Sequence, residues 1–480
     1  MNTKDKEQIS LMFINMAKET VAFLSSPENQ FYHSDSFFVS SFQEEREQVL
    51  VHLLHDPVYA AKFSEEYLEK LLKEKIEGMI RNLRQKEAPR ERLQKIARRT
   101  AEDIFNTLDS YNTNLRVYLP VTGVSIQLEE GKFELGNITF QNMTHERIDE
   151  VIGHITSVIM EMRYTSDEKQ AIIKFNTEQL QEVFKDKESS VYAVYHVVAE
   201  PLRAEERARA ECYQVFDLLR YALPMLSSFY LMKFSIPEKY ISNDLAETYN
   251  YAKREKKVER EQGRFISFGL QGEVGTNTNM IRHVIILRDS PGFNWNRDRK
   301  ERFASLELDP QALEIMNEAK VFEASQIIKK GEVSQTNFER TILRSIHWFA
   351  NAQTPMQPEY VLLSLVSSIE AFLNPPGEHE KVTTAIIEGV AALGGMQGYK
   401  YTKKRIEELY AKRSALSHGD RTEILERDIS ELRAIAFYII HQMIQRADEF
   451  TTQEQLYEEV KRIREDIKER IVRNSSSNDP

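Results

Sequence analysis

The chain has 480 residues, and its 64 lysines and arginines against 75 aspartates and glutamates give a formal net charge of -11. This length predicts two to four domains, since a single domain commonly holds roughly 150 residues. The acidic balance argues against a protein that coats nucleic acid without specificity, because such binding draws on clustered basic side chains. Any contact with RNA would therefore come from a local basic pocket.

Cysteine content and hydropathy indicate the compartment. Cys212 is the only cysteine, so the chain can form neither an internal disulfide nor a zinc site made of cysteines. The first residues carry charges of both signs and lack the apolar core of a secretory signal. The most apolar stretch, 218–234, is interrupted by Arg220, Pro224 and Lys233 and is shorter than the roughly 20 residues that span a bilayer. We therefore expect a cytoplasmic protein without membrane contact.

The first 112 residues are predicted to form a helical N-terminal region. Apolar residues recur there near a period of 3.6, first in residues 9–24 and again in 65–108. Pro89 interrupts the second stretch, because proline lacks the backbone donor that a helix interior needs. The charged faces of these helices are interpreted as solvated surface in preference to an RNA-binding face.

Residues 113–334 are predicted to form a mixed α+β domain, because β-branched alternating segments take turns with helical ones. Helices are expected at 145–162 and from 204 to about 226. Strands are expected at 115–128, 132–141, 171–175 and 190–199, with further segments that would extend the sheet at 230–236, 265–270 and 284–287. The glycine-rich stretch with Gly269, Gly272 and Gly275 lacks a following Gly-Lys-Ser/Thr, so it indicates a turn and not a phosphate-binding loop.

A polar interruption at 329–334 predicts the last domain boundary, after which residues 335–473 are predicted to form a helical bundle. Five helices punctuated by Pro and Gly are expected, and a charged amphipathic helix follows them; their ranges are 338–350, 360–373, 381–393, 401–418, 428–450 and 456–472. Residues 474–480 are expected to be a disordered tail. The fold class is thus mainly α, with an α+β middle region.

Arg413 and His418 stand five positions apart in this C-terminal region and carry the chemistry of an RNA-cleaving site. Arginine offers a permanent planar cation with forked donors for phosphate oxygens, and histidine exchanges protons near neutral pH. These are two of the roles that cleavage by a ribose 2'-hydroxyl requires in the absence of a metal ion. The alternative is that both side chains merely cap and solvate the end of a helix.

Helix geometry bears on this pair. Gly419 suits the position just after a helix, where a left-handed backbone is common, so His418 would lie in the last turn. A five-residue separation corresponds to roughly 140° around an ideal helix, so the two side chains need not point together. The two side chains could meet only if Arg413 extended around the helix, if the last turn were distorted, or if a partner subunit supplied one of them.

Three elements together resemble a HEPN domain of the ApeA-like type. They are the apolar-Glu-Ala-apolar-Leu stretch at 369–373, the nearby Gly394 and Gly395, and the Tyr-x-x-Arg-Ser-x-x-x-His-Gly helix end at 410–419. The resemblance covers about a third of the chain. It implies a helical bundle that dimerises and brings two Arg-His motifs together as one composite ribonuclease site. Ser414 departs from the superfamily, where Asn, Asp or His often follows the arginine.

The same resemblance implies a metal-independent endoribonuclease of prokaryotic antiphage defence, of the abortive-infection type, that needs no cofactor and leaves a 2',3'-cyclic phosphate. The mixed region before the bundle would sense or position a target, which makes 113–334 a regulatory or target-sensing domain. The expected partners are RNA, with tRNA as the candidate by analogy, a second copy of the chain, and a phage-derived trigger or an antitoxin. A noncatalytic HEPN-like module that binds RNA or protein is the alternative.

Supporting roles are predicted around the pair. Glu370 would orient Arg413 or else face water, and Tyr410 would hydrogen-bond the substrate or else pack within the helix bundle. Ser414 offers a hydroxyl beside the arginine. Positive charge for RNA phosphates would come from Lys403, Lys404 and Lys412.

Elsewhere, His52 and His55 share a helix face as metal ligands can, but a structural role is preferred for them, and no metal site is predicted.

Overall fold

The computed structural model describes residues 1–24, 42–84, 90–121, 123–161, 164–184, 190–233, 265–269, 282–287, 306–353, 357–373, 382–395, 398–419 and 422–476. The described chain is mainly helical, with a small sheet in its middle region. The predicted positions Pro89, Gly272 and Gly275 lie outside the described residues.

The N-terminal region is helical, as predicted. Its helices are α1 (Thr3–Leu24), α2 (Gln43–His55), α3 (Pro57–Lys62), α4 (Glu65–Arg84) and α5 (Arg90–Asp109). Apolar residues spaced at three and four positions give each long helix one apolar face, and these faces close on one another. Phe13, Leu72 and Ile104 are completely buried in the core that results.

Hydrogen bonds join this helical region to the middle of the chain. The Ser64 backbone N–H donates to the Glu200 carboxylate at 3.1 Å, and the Tyr111 hydroxyl donates to the Ala199 carbonyl at 3.1 Å. The Arg203 guanidinium donates to the Ala60 carbonyl at 2.8 Å. These contacts fix α3 and α4 beside the start of the long helix that follows the sheet.

The middle region contains a six-stranded sheet in the order β3-β4-β5-β1-β7-β6. Its strands are β1 (Asn114–Val121), β3 (Lys132–Leu135), β4 (Ile138–Asn142), β5 (Val191–Val198), β6 (Phe265–Gly269) and β7 (Arg282–Leu287). Neighbouring strands are antiparallel except β1 and β7, which are parallel. The central pair is in register from Asn114 opposite Val198 to Val121 opposite Val191.

One face of the sheet is covered by α6 (His145–Glu161) and α7 (Ser166–Phe184), around a small core that includes Tyr118 and Tyr192. The strand predicted at 171–175 is wrong, because these residues lie inside α7. Thr165 and Glu168 exchange hydrogen bonds at the start of that helix, which is a capping box. Within this helix Ile172 and Ile173 pack against the small core, whereas Phe175 is 51% exposed.

The other face is covered by α8 (Pro201–Lys233), a long helix with its apolar side between the sheet and the C-terminal helices. Tyr221 on α8 stacks on Phe437 at 4.9 Å between ring centroids and meets Phe349 edge-on at 5.6 Å. The strand predicted at 230–236 is wrong over its first four residues, which continue α8; the remainder lies outside the described residues.

The middle region also contains a second, two-stranded sheet. It pairs β2 (Val124–Ile126) in parallel with β8 (Leu306–Leu308), for which no strand was predicted. Helices α9 (Pro310–Glu318) and α10 (Val321–Lys329) follow. Asp309 caps α9 by accepting from the Ala312 backbone N–H at 2.7 Å.

The C-terminal region is helical, with bounds close to those predicted. Its helices are α11 (Asn337–Asn351), α12 (Pro358–Leu373), α13 (Val382–Leu393), α14 (Tyr399–Ser417), α15 (Glu426–Gln445) and α16 (Gln453–Ser476). Thr336 and Glu339 form a capping box at the start of α11. Because α16 reaches Ser476, it extends three residues into the stretch that was expected to be a tail.

The apolar core of these helices is continuous with the core beneath the sheet. One cluster of buried residues runs from Leu115 on β1, through Phe216 on α8, to Ile467 on α16. The N-terminal helices form a core of their own. The C-terminal helices therefore pack on the sheet domain through α8, and α12 and α14 lie within this larger core.

Candidate functional site

Helix α14 carries the predicted site at its C-terminal end. Ile406, Leu409 and Tyr410 are buried against the neighbouring helices and fix which face of α14 points outward. His418 caps the helix, and Gly419 follows with a φ of +83°, which glycine adopts without the strain that a side chain would bring. The predicted helix end is confirmed.

Arg413 is held by a carboxylate from α12. Its guanidinium lies 3.2 Å from the Glu370 carboxylate and 5.5 Å from the centre of the Tyr410 ring, and its side chain is 33% exposed. The Tyr410 hydroxyl donates a hydrogen bond to the same carboxylate. Of the two alternatives for Glu370, pairing with Arg413 is the one found, and Tyr410 both packs and positions Glu370.

The Tyr410 phenol is the hydrogen-bond donor in this cluster. Burial, together with the hydrogen bond to Glu370, raises the pKa of the Tyr410 phenol, so it remains a donor at neutral pH. Glu370 thus receives a neutral donor and a cation, and the outer edge of the Arg413 guanidinium stays open to solvent. Such a fixed, partly exposed guanidinium can bind a phosphate oxygen.

His418 and Ser414 lie on the same helix end but are not part of that cluster. The His418 side chain is exposed, and in the described part of the chain no hydrogen bond joins it to Arg413. Ser414 is half-buried, and its backbone carbonyl accepts from the His418 N–H at 3.1 Å. One subunit therefore presents an anchored cation and, past the last turn, a separate solvent-facing imidazole.

Two of the three lysines predicted to bind RNA are engaged in ion pairs within the fold. Lys403 contacts Glu388 on α13 at 3.2 Å, and Lys412 contacts Asp428 on α15 at 2.6 Å. Lys404 is exposed. Of the three predicted lysines, Lys404 is therefore the one whose side chain is exposed and for which the described residues provide no ion pair.

Asp428 is a buried junction between α14 and α15. It is 2% exposed and accepts hydrogen bonds from Arg405 at 2.5 Å, from Lys412 at 2.6 Å and from the Leu425 N–H at 2.9 Å. Burial alone would raise its pKa, but the three donors outweigh it and hold the pKa at about 2. The carboxylate is therefore ionised at all ordinary pH values.

A histidine and carboxylate pair that the sequence did not reveal lies on α8 and α11. The Nδ1 atom of His347 is 2.8 Å from the Asp217 carboxylate, and its Nε2 atom is 3.2 Å from the Asn351 amide. The hydrogen bond to Asp217 raises the pKa of His347, although partial burial opposes it. The two residues are 130 positions apart in the chain, so no local motif could signal the pair.

The sequence also raised the possibility of a metal site at His52 and His55. Within the described ranges, no group of three or more His, Cys, Asp or Glu side chains is placed to hold a metal ion; His52 and His55 lie on α2 without such a group. No helix among the described residues is long and apolar enough to cross a membrane.

No protein-family model matches the chain, and no curated protein or solved structure is significantly similar to it.

Proposed function

We propose that the end of α14 is the active site of a metal-independent endoribonuclease. The observation that carries the proposal is the Arg413 guanidinium, fixed by Glu370 over Tyr410 and left partly open, on a helix that ends at an exposed His418. A fixed cation beside a residue that exchanges protons near neutral pH suits attack of a 2'-hydroxyl on the adjacent phosphate.

The reaction assigns a role to each group. The ribose 2'-oxygen forms a bond to phosphorus as the bond from phosphorus to the 5'-oxygen breaks, which leaves a 2',3'-cyclic phosphate and a 5'-hydroxyl. Arg413 stabilises the charge on the phosphorane, and His418 transfers a proton to or from the reacting oxygens. Glu370 and Tyr410 position Arg413, and Lys404 attracts the RNA backbone.

A dimer completes this site in the proposal. Arg413 and His418 are separated around the end of α14, so two copies of the motif facing each other would let the arginine of one subunit act with the histidine of its partner. A HEPN-type bundle is the matching fold for residues 335–473. The proposal extends, on the resemblance of the motif, to a cytoplasmic antiphage defence protein that cleaves tRNA and responds to a phage-derived trigger or an antitoxin.

The test incubates purified wild type, Arg413→Ala and His418→Ala with total cellular RNA in EDTA and maps the fragment ends. Cleavage by the wild type alone, with cyclic phosphate ends, is the expected result. Arg462→Ala on α16 and His55→Ala on α2 are matched controls, because both residues are exposed and far along the chain from the motif. Equal cleavage by the wild type and both site variants would refute the assignment.

The noncatalytic alternative gives a different result in the same experiment. If the wild type shifts RNA in a gel but cuts none at any concentration, and Arg413→Ala no longer shifts it, the protein is an RNA-binding module.

The dimeric arrangement is tested by mixing Arg413→Ala with His418→Ala, because a composite site regains one intact copy in a mixed dimer. Full activity of a dilute monomer would contradict it.

A further inference from the structure

A large recess lies on the opposite side of α8 from the sheet core. It has a volume of about 680 Å³, within the range of roughly 300 to 1,000 Å³ that small-molecule sites occupy. Its walls are α8, α11 and the loop between α10 and α11, and α3 adds Pro57, Ala60 and Ala61 to the lining. None of the residues proposed for RNA cleavage lines it, so the inference below does not rest on the proposed function.

Basic side chains line two opposing walls of this recess. Arg340, Arg344 and His347 follow one another at three- and four-residue spacing along α11 and are exposed. Arg203 and Arg207 stand one turn apart on α8. Side chains spaced in this way share one face of a helix, so the two helices present cations toward the same space.

Most of the other charges that line the recess are already paired. Arg203 contacts Glu206 at 2.9 Å, and Lys330 pairs with Glu339 of the capping box. Asp217 contacts His347 at 2.8 Å. The two charges of each pair neutralise each other, so these side chains form the walls of the recess and leave little charge for a ligand.

Arg340 and Arg344 differ from these pairs. Arg340 donates to the Asn337 amide oxygen at 2.6 Å, which is an uncharged partner. Among the described residues no carboxylate lies within ion-pair distance of either guanidinium, and Glu332 is the exposed carboxylate on the adjoining loop. Two forked cations one helical turn apart and open to a cleft match the oxygens of a phosphate or diphosphate group.

Apolar surface lies beside the two arginines. Val333 on the connecting loop is 73% exposed, and Leu343 is a partly buried residue on the same wall. We propose that the recess binds a small phosphate-bearing molecule, with Arg340 and Arg344 contacting its phosphates and Val333 and Leu343 contacting its less polar part. A concave site of this size fits a small ligand better than a polymer backbone, which needs an open groove.

Inorganic pyrophosphate is the probe that tests the charged part of this site. Calorimetric titration of the full chain at low ionic strength is expected to show saturable binding, weakened about tenfold or more in Arg340→Gln/Arg344→Gln, since each lost charge-assisted hydrogen bond costs about that factor. Arg462→Gln/Arg470→Gln on α16 removes the same charge from an exposed helix elsewhere and is expected to bind as the wild type does.

A second variant distinguishes binding inside the recess from binding on the exposed surface of α11. Ala210 is exposed on the α8 wall, and Ala210→Trp fills the space without changing charge. It is expected to weaken a nucleoside diphosphate at least as much as pyrophosphate, because the larger ligand needs the volume. Equal pyrophosphate affinity in all variants, or no binding by the wild type, would overturn the proposal. So would a single-stranded RNA oligomer that binds through Arg340 and Arg344 when pyrophosphate does not.

Discussion

Replacing Asp428 by asparagine is expected to destabilise the protein at neutral pH by about 2 to 3 kcal/mol. The donors around this carboxylate hold its pKa at about 2 instead of 3.8, and a shift of nearly two pH units corresponds to about 2 to 3 kcal/mol. Breaking a fully buried ion pair costs about 3 to 5 kcal/mol. Arg405 and Lys412 keep 14% and 26% of their side-chain surface exposed, so they can partly rehydrate and the lower figure applies.

Urea unfolding at pH 7 measures this difference. Glu426→Gln is the matched control, because Glu426 is exposed in the first turn of α15 and the change from carboxylate to amide is the same. It is expected to change the free energy of unfolding by less than about 0.5 kcal/mol. An equally small effect for Asp428→Asn would refute the assignment of Asp428 as the junction that holds α14.

The sign of the pH dependence provides a second check. A lowered pKa stabilises the fold above the unfolded value near 3.8, and this stabilisation is lost as the pH falls toward about 2. At about pH 3 the contribution should be about half of its value at pH 7. The gap between wild type and Asp428→Asn should narrow accordingly, and a gap that widens on acidification would contradict the reasoning.

Three further predictions concern α8 and its contacts. The Tyr221 hydroxyl is buried with no hydrogen-bond partner among the described residues, so Tyr221→Phe is expected to raise the free energy of unfolding by about 1 kcal/mol in urea titrations. Burial raises the pKa of the Cys212 thiol to about 12, so a thiol reagent should react only in denaturant, with rapid native labelling as the contrary result. The Asp217 hydrogen bond raises the pKa of His347, so the stabilisation from the pair is complete below about pH 6.5 and lost as the pH rises through the raised value. The stability gap between wild type and His347→Gln should therefore shrink as the pH rises above about 6.5 and through the raised pKa.

Local patterns predicted most of the helices, and they failed where two structures share one pattern. The run at 171–175 is short, apolar and β-branched, and a short apolar run fits a strand or a buried helix face equally well. The capping box of Thr165 and Glu168, which lies just before this run, was the available signal for a helix. The strand at 306–308 had no such signal, because its pairing with 124–126 depends on residues about 180 positions away.

The candidate site was also predicted only in part, because local signals reveal a helix end but not the contacts between helices. The helix end at His418 and Gly419 depends on local backbone preference, so the sequence was sufficient to place it. The contact of Glu370 with Arg413 joins two helices, and an edge position on α12 allowed either partner or solvent. Asp217 and His347 belong to helices 130 positions apart, and only the packed core brings them together.

The cations of α14 have two separate uses in this fold. Lys403, Arg405 and Lys412 tie the helix to α13 and α15 through Glu388 and Asp428. This leaves Arg413 and the exposed Lys400 and Lys404 as the charges of α14 that a phosphate could reach. Each neutralised phosphate contributes to the salt-dependent affinity for RNA, so the roughly three contacts per subunit that these cations allow give little nonspecific binding at physiological salt. Recognition at this site would then depend on the fit of one scissile phosphate between anchored groups and on a second subunit, which agrees with the acidic net charge of the chain.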